Sequence, residues 1–168
     1  MRVLNPTKDG LYYEPIKNRL VLAHLFMETL SVSGTLDSLK IIADYVIKAA
    51  KSAGLDKKST YKLRLAVDEV ATNIITHGYE EANLSGKLDL FADINDSALT
   101  LSVEDTGARY DPYEQVSVEE EEFNKPLEER AIGGLGVYLA IQGVDKYFYE
   151  RVGERNRNIF VVNCPSAS

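Results

Sequence analysis

Two consecutive apolar alternations, separated by a short turn signal, constrain this chain more than any other feature. Leu88, Leu90, Ala92 and Ile94 recur at every second position, and Leu99, Leu101 and Val103 then do the same. A period of two sends successive side chains to opposite faces of an extended backbone, so both runs read as strands with one buried face. Asn95-Asp96-Ser97 lies between them, and residues of this kind favour turns, which predicts a β-hairpin. A second hairpin is expected from Tyr147–Arg151 and Asn158–Asn163 around Gly153. Upstream, Leu20 to Val32 is apolar and rich in β-formers and reads as a further strand with an interruption.

Between these strands the period changes to that of helices. Gly34-Thr35 stops the first strand, with Thr35 placed to cap a helix. Leu36, Leu39, Ala43, Val46, Ile47 and Ala50 then recur at helical spacing to about Ser52, and Gly54 closes the segment. A second helix is predicted from Asp56 or Ser59 to about His77, where Gly78 ends it, with Leu63, Val67, Val70 and Ile74 as its buried stripe. A third runs from Leu135 to about Val144, with Val137, Ile141 and Val144 on one face. Residues 106–132 lack a period, and Pro112 and Pro126 limit regular structure there. A loop of this length, carrying the acidic run 119–122, is uncommon in a compact domain unless it is functional.

The expected fold class is therefore α+β: a mostly antiparallel sheet with helices on one face and the other face left to solvent or a partner. Residues 1–19, with Pro6, Gly10 and Pro15, read as an N-terminal arm, and residues 20–168 as a single domain. A hydrophobic content of 45% with 27% charged residues is that of a soluble globular protein. No apolar stretch approaches a membrane span and no continuous signal-peptide core is present, so the expected location is cytoplasmic, with no membrane partner. Cys164 is the single cysteine, which excludes an internal disulfide and a thiolate metal cluster. A net charge of −7 argues against a general nucleic-acid binder. It also means that any phosphate site here relies on a metal ion, backbone N–H groups and one or two cations.

Three polar clusters carry the chemistry. Glu69, Asn73 and His77 stand four residues apart on the second helix, on a stripe distinct from its core stripe. Asn73 offers a neutral oxygen to a hard cation such as Mg²⁺, which takes one or two protein oxygens beside phosphates and waters. Glu69, one turn earlier, is placed to orient or deprotonate an attacking hydroxyl. The same stripe also fits a polar helix face in water, and the helix macrodipole by itself accounts for His77. Asp105-Thr106-Gly107 ends a strand. A carboxylate there suits the amino group of adenine, and Gly107 lets a flat base approach the backbone; the plainer reading is a strand-terminating turn. Gly133, Gly134, Leu135 and Gly136 meet the start of the third helix, where close backbone approach and free N–H groups suit phosphate, with Arg130 just upstream. A hinge is the alternative for these glycines.

Together the clusters resemble the ATPase superfamily shared by gyrase, histidine kinases, heat-shock chaperones and mismatch-repair proteins. Residues 69–77 resemble its asparagine box, 105–112 its first glycine box, and 133–136 its second. Within it, residues 65–73 followed by His77-Gly78-Tyr79 are most similar to the bacterial anti-sigma-factor serine kinases of partner-switching systems. The resemblance covers roughly residues 20–163. It departs from the pattern at Tyr110, where phenylalanine is commoner, and in the long glutamate-rich segment 113–129.

The resemblance implies a two-layer α/β sandwich of Bergerat type that binds ATP with Mg²⁺ beneath a mobile lid. It implies that Asn73 binds Mg²⁺, that Glu69 is the catalytic base, and that Asp105 reads adenine. Gly107, Gly134 and Gly136 would shape the pocket, joined in the cofactor site by Arg130, Gly133 and Leu135. The activity implied is serine/threonine protein kinase, with phosphorylation of a small anti-anti-sigma partner and sequestration of a sigma factor by a homodimer. The alternative is an ATP-binding interaction module that switches without kinase activity. A catalytic domain of a two-component histidine kinase fits less well, because neither His24 nor His77 lies on a dimerising helix pair.

Overall fold

The computed structural model describes residues 25–109, 111 and 135–165. The arm 1–19, the lid segment 113–129, Tyr110, Arg130, Gly133 and Gly134 lie outside the described residues. Strand β1 (Leu25–Phe26) and strand β2 (Leu30–Ser33) both pair antiparallel with β3 (Lys87–Ile94). They form one interrupted edge, as the sequence predicts for this stretch. The first hairpin is present: β3 pairs with β4 (Ala98–Asp105), and Asn95 Oδ1 accepts hydrogen bonds from the N–H groups of Ser97 and Ala98. Strands β5 (Lys146–Val152) and β6 (Arg155–Asn163) make the second hairpin, with Gly153 at a φ of 63° in its tight turn. Strand β6 adds to β4, so the antiparallel order runs β1 and β2, then β3, β4, β6 and β5.

The alternation read from the sequence is the inward face of this sheet. Leu88, Leu90, Ala92, Ile94, Leu99, Leu101 and Val103 are all buried. They share one core with helices α1 (Leu39–Ser52), α2 (Lys57–Asn73) and α3 (Leu135–Ile141). Each buried large aliphatic side chain contributes about 1.5–3 kcal/mol relative to exposure, so the pattern holds the layers together. Ala49 and Ala50 on α1 and Ala66 and Ala71 on α2 are fully buried, where small side chains let packed elements approach closely. The opposite sheet face carries Phe91 and Phe148, both exposed, beside an ion-pair group in which Glu104 receives Arg155 at 3.0 Å and Arg157 at 2.6 Å. The fold is α+β with helices on one face of an antiparallel sheet, as expected.

Four local expectations need correction. Thr35 sits at the N-cap of a short 3₁₀ turn, Leu36–Ser38, yet its side chain makes no capping bond. The buried face of α1 is Ile42, Val46, Ala49 and Ala50, whereas Leu36 and Ile47 are exposed. Apolar residues occur on both sides of this helix, so its sequence supports more than one phase and the facing sheet selects one. Helix α3 ends at Ile141, three residues before Val144, which still packs against the core from the following turn. Gly78 does not end the second helix. Asp56 caps it, accepting from Ser59 N–H at 2.7 Å, and after Asn73 the chain continues as a π-helix, Ile74–Glu80. Gly78 has no positive φ and so cannot act as a left-handed cap; the chain turns away only at Asn83, whose φ is 53°.

Tyr79 locks this π segment to the sheet. Its ring is buried against Gly34 and Gly86, and its hydroxyl donates to Lys87 O at 2.8 Å and accepts from Thr106 N–H at 3.1 Å. Removing that hydroxyl takes a partner from an acceptor at the start of β3 and from a donor just past the end of β4. Tyr79→Phe is therefore expected to lower unfolding free energy by about 1–3 kcal/mol with the fold retained, measured by urea denaturation.

Candidate functional site

Two close approaches bring the polar clusters together. A Cβ on Gly107 would lie 2.8 Å from Gly78 O and 3.0 Å from its carbonyl carbon, so only glycine lets β4's end pass the π-helix here. Ala108 N–H donates to the same Gly78 carbonyl at 2.9 Å and closes the seam. At the other seam, a Cβ on Gly136 would lie 2.5 Å from Glu69 Oε2, so the first turn of α3 rests directly against the Glu69 carboxylate. Helix α2 with its π extension thus touches the Asp105-Thr106-Gly107 turn at one end and the glycine-rich start of α3 at the other. From Glu69 to Gly78 the helical rise spans roughly 13 Å. Glu69 forms the second seam and Asn73 lies between the two, both partly buried.

Asp105, the last residue of β4, is only 2% exposed. Its Oδ1 accepts from Gly107 N–H and from Asn156 Nδ2, each at 2.8 Å. Its Oδ2 is buried and has no hydrogen-bond partner among the described residues. Desolvation pushes this carboxyl above the usual carboxylate range, opposed by the Asn156 and Gly107 hydrogen bonds and by the positive charge of Arg151. A buried acceptor without a donor costs about 1–3 kcal/mol, and more when charged. An amino group arriving at Oδ2 relieves that cost. What the missing side chain of Gly107 makes room for here is the Gly78 carbonyl, which would lie 2.8 Å from a Cβ.

Around Asn73 the neighbouring hydroxyls are already engaged. Thr72 Oγ1 donates to Asp68 O at 2.7 Å and Thr76 Oγ1 to Thr72 O at 2.8 Å, each reaching back one turn. The Asn73 side chain makes no capping bond at the start of the π-helix. Among the described residues no group of three or more His, Cys, Asp or Glu could cage a metal. One neutral oxygen fits a Mg²⁺ ion that arrives with phosphates and waters as its other ligands. His77 is exposed, with Nδ1 2.8 Å from Glu81 Oε2, and so engages its own helix. Leu135 and Gly136 open α3, seven residues long. Cys164 is free, and burial pushes its thiol up, which removes any case for a reactive thiolate.

Asn156 is the site residue that sequence reasoning missed. It is buried on β6 directly opposite Asp105, though 51 residues away in the chain. A signal was present: alternation carried back from Val162 and Phe160 puts Asn158 and Asn156 on the core face, where an amide needs partners. Asn158 has its own in the Tyr147 hydroxyl.

Residues 32–161 match the model of a family described as the histidine kinase-like ATPase domain. Comparison with curated proteins gives no match.

The raised affinity of Asp105 for a proton has a definite sign for stability. Protonation favours the folded state, so this contribution is full below the ordinary carboxylate range and is lost as pH rises through the folded value. Asp105→Asn keeps an oxygen for Gly107 and Asn156 and removes the buried charge. The variant is expected to unfold at higher urea than the wild type, with a gap that widens from about pH 4 toward neutrality. A gap independent of pH would contradict the assignment.

Proposed function

Because the chain belongs to the histidine kinase-like ATPase family, we propose that it binds Mg-ATP and uses it as a serine/threonine protein kinase and anti-sigma regulatory factor. The proposed acceptor is a serine or threonine of a small anti-anti-sigma partner, and a sigma factor is held by a homodimer when that partner is phosphorylated. Membership of the family implies ATP binding. The observation that carries the reading is the buried Asp105 Oδ2, without a partner among the described residues, on the same seam as the helix that bears Glu69 and Asn73.

Mg-ATP, when bound, supplies the phosphoryl group and neutralises its developing charge. In this reading Asp105 Oδ2 accepts from the N6 amino group of adenine, where guanine carries a carbonyl oxygen. Asn73 gives its side-chain oxygen to the metal. Glu69 would orient the acceptor hydroxyl and take its proton as the oxygen bonds to the γ-phosphorus and ADP leaves with the bridging oxygen, a role that contributes about 10²–10⁴-fold. Positioning and charge neutralisation supply the rest, with Arg130 the proposed cation at the terminal phosphate. A binding module without transfer needs Asp105 and Asn73 but has no use for a base, so Glu69 favours the enzyme.

Asn73→Ala is expected to abolish Mg-ATP binding in calorimetry. Glu69→Ala should retain binding and lose transfer of labelled phosphate to the antagonist by about 10²–10⁴-fold. Equal loss of binding and transfer in Glu69→Ala would remove it from the role of base. Nucleotide binding without transfer to any candidate partner by the wild type would favour the module.

A further inference from the structure

The Asn156 amide is hydrogen-bonded at both of its ends. Its Nδ2 donates to Asp105 Oδ1 at 2.8 Å, and to the carbonyls of Gly107 and Ala108, each at 3.3 Å. Its Oδ1 accepts from the Tyr149 hydroxyl at 2.9 Å and from Arg151 Nη1 at 2.7 Å. An amide has two chemically different ends, and a guanidinium can only donate, so Arg151 decides which end faces Asp105. The outcome is that Oδ1 of Asp105 is occupied by two donors, while Oδ2 is left without a donor among the described residues.

We infer that Asn156 is the positioning residue for base recognition: anchored by Tyr149 and Arg151, it turns Asp105 so that one carboxylate oxygen alone meets an exocyclic amino group. The inference rests on the ATP-binding reading. It assigns nucleotide discrimination to a relay reaching from β5 through β6 to β4, with Asp105 as its contacting end. The same amide braces the Gly107 and Ala108 carbonyls, so carboxylate and neighbouring backbone are set by one side chain. Burial, the Asn156 and Gly107 hydrogen bonds and the charge of Arg151 set the charge state of Asp105. Arg151 acts directly on Asp105, while Arg109, Asp111 and Arg151 surround the Tyr149 hydroxyl. The Asn156 donor favours the ionised acceptor form of Asp105 against burial.

The test compares Mg-ATP with the triphosphate of purine riboside, which lacks the amino group, by calorimetry on the full chain. The wild type is expected to prefer ATP by roughly tenfold or more, the loss expected when a buried charged acceptor goes unpaired. In Asn156→Ala the preference should fall to about twofold or less, and the acid limb of ATP affinity against pH should move to higher pH. A purely structural role lowers both affinities together and leaves their ratio and the pH profile unmoved; that result overturns the inference. If Asn156→Ala does not fold, the double variant Tyr149→Phe with Arg151→Gln carries the test, because both residues lie on the edge strand. A reduced preference there supports the relay, and an unchanged one overturns it. A wild type that binds neither nucleotide overturns the ATP reading itself, and this inference with it.

Discussion

The site is organised around a carboxylate that the fold buries and leaves half satisfied. Asp105 ends the central strand β4, and desolvation there works against its charge. Two donors on Oδ1 hold it in place, and nothing in the described chain answers Oδ2. A structural carboxylate at a strand end would normally be exposed or fully paired, since a buried orphan acceptor is costly. The surrounding architecture keeps this one in its cost-bearing state. Asn156 comes in from β6, Tyr79 from the π-helix fixes the next peptide through Thr106 N–H, and Gly107 presses on Gly78. A donor brought to Oδ2 would offset that cost.

The π-helix explains how one helix serves both ends of the site. A helix closed by Gly78 would turn the chain away before Tyr79 could reach the sheet. The wider turn from Ile74 to Glu80 carries the chain on, so that Gly78 O receives Ala108 and the Tyr79 hydroxyl bridges Lys87 and Thr106. Such segments are rare and concentrate at functional sites. Here the segment follows directly on Asn73, and the residues proposed for metal and base share one rigid element with the residues that clamp the strand. At the far end Gly136 lies against Glu69, which ties the start of α3 to the same helix.

Much of the fold was legible because strand alternation is short-ranged and nearly unambiguous. The inward set on β3 and β4 matched residue for residue, both hairpin turns were marked by their own chemistry, and the α2 stripe Leu63, Val67, Val70 and Ile74 is buried as read. The phase of α1 was not legible. Ile41, Ile42 and Ile47 surround its axis, and only contact with the sheet distinguishes buried Ile42 from its exposed neighbours. Thr35 carried the right residue type for a cap without the bond. The extension past Gly78 was hidden for a similar reason: glycine signals a helix end only when it adopts a left-handed φ, and here the packing does not require one.

By itself the sequence determined the layer arrangement, the strand-end position of Asp105 and the helical spacing of Glu69 and Asn73, because these follow from periods and turn residues within a few positions of one another. Tertiary structure decided which groups meet. Asn156 lies 51 residues from Asp105 and becomes its partner only through the β4–β6 register. The contacts of Gly136 with Glu69 and of Gly107 with Gly78 likewise exist only once the helices lie on the sheet. Hydrogen bonding and close packing act over a few ångströms, and the distance between chain positions that they join is set by topology, which no local pattern records.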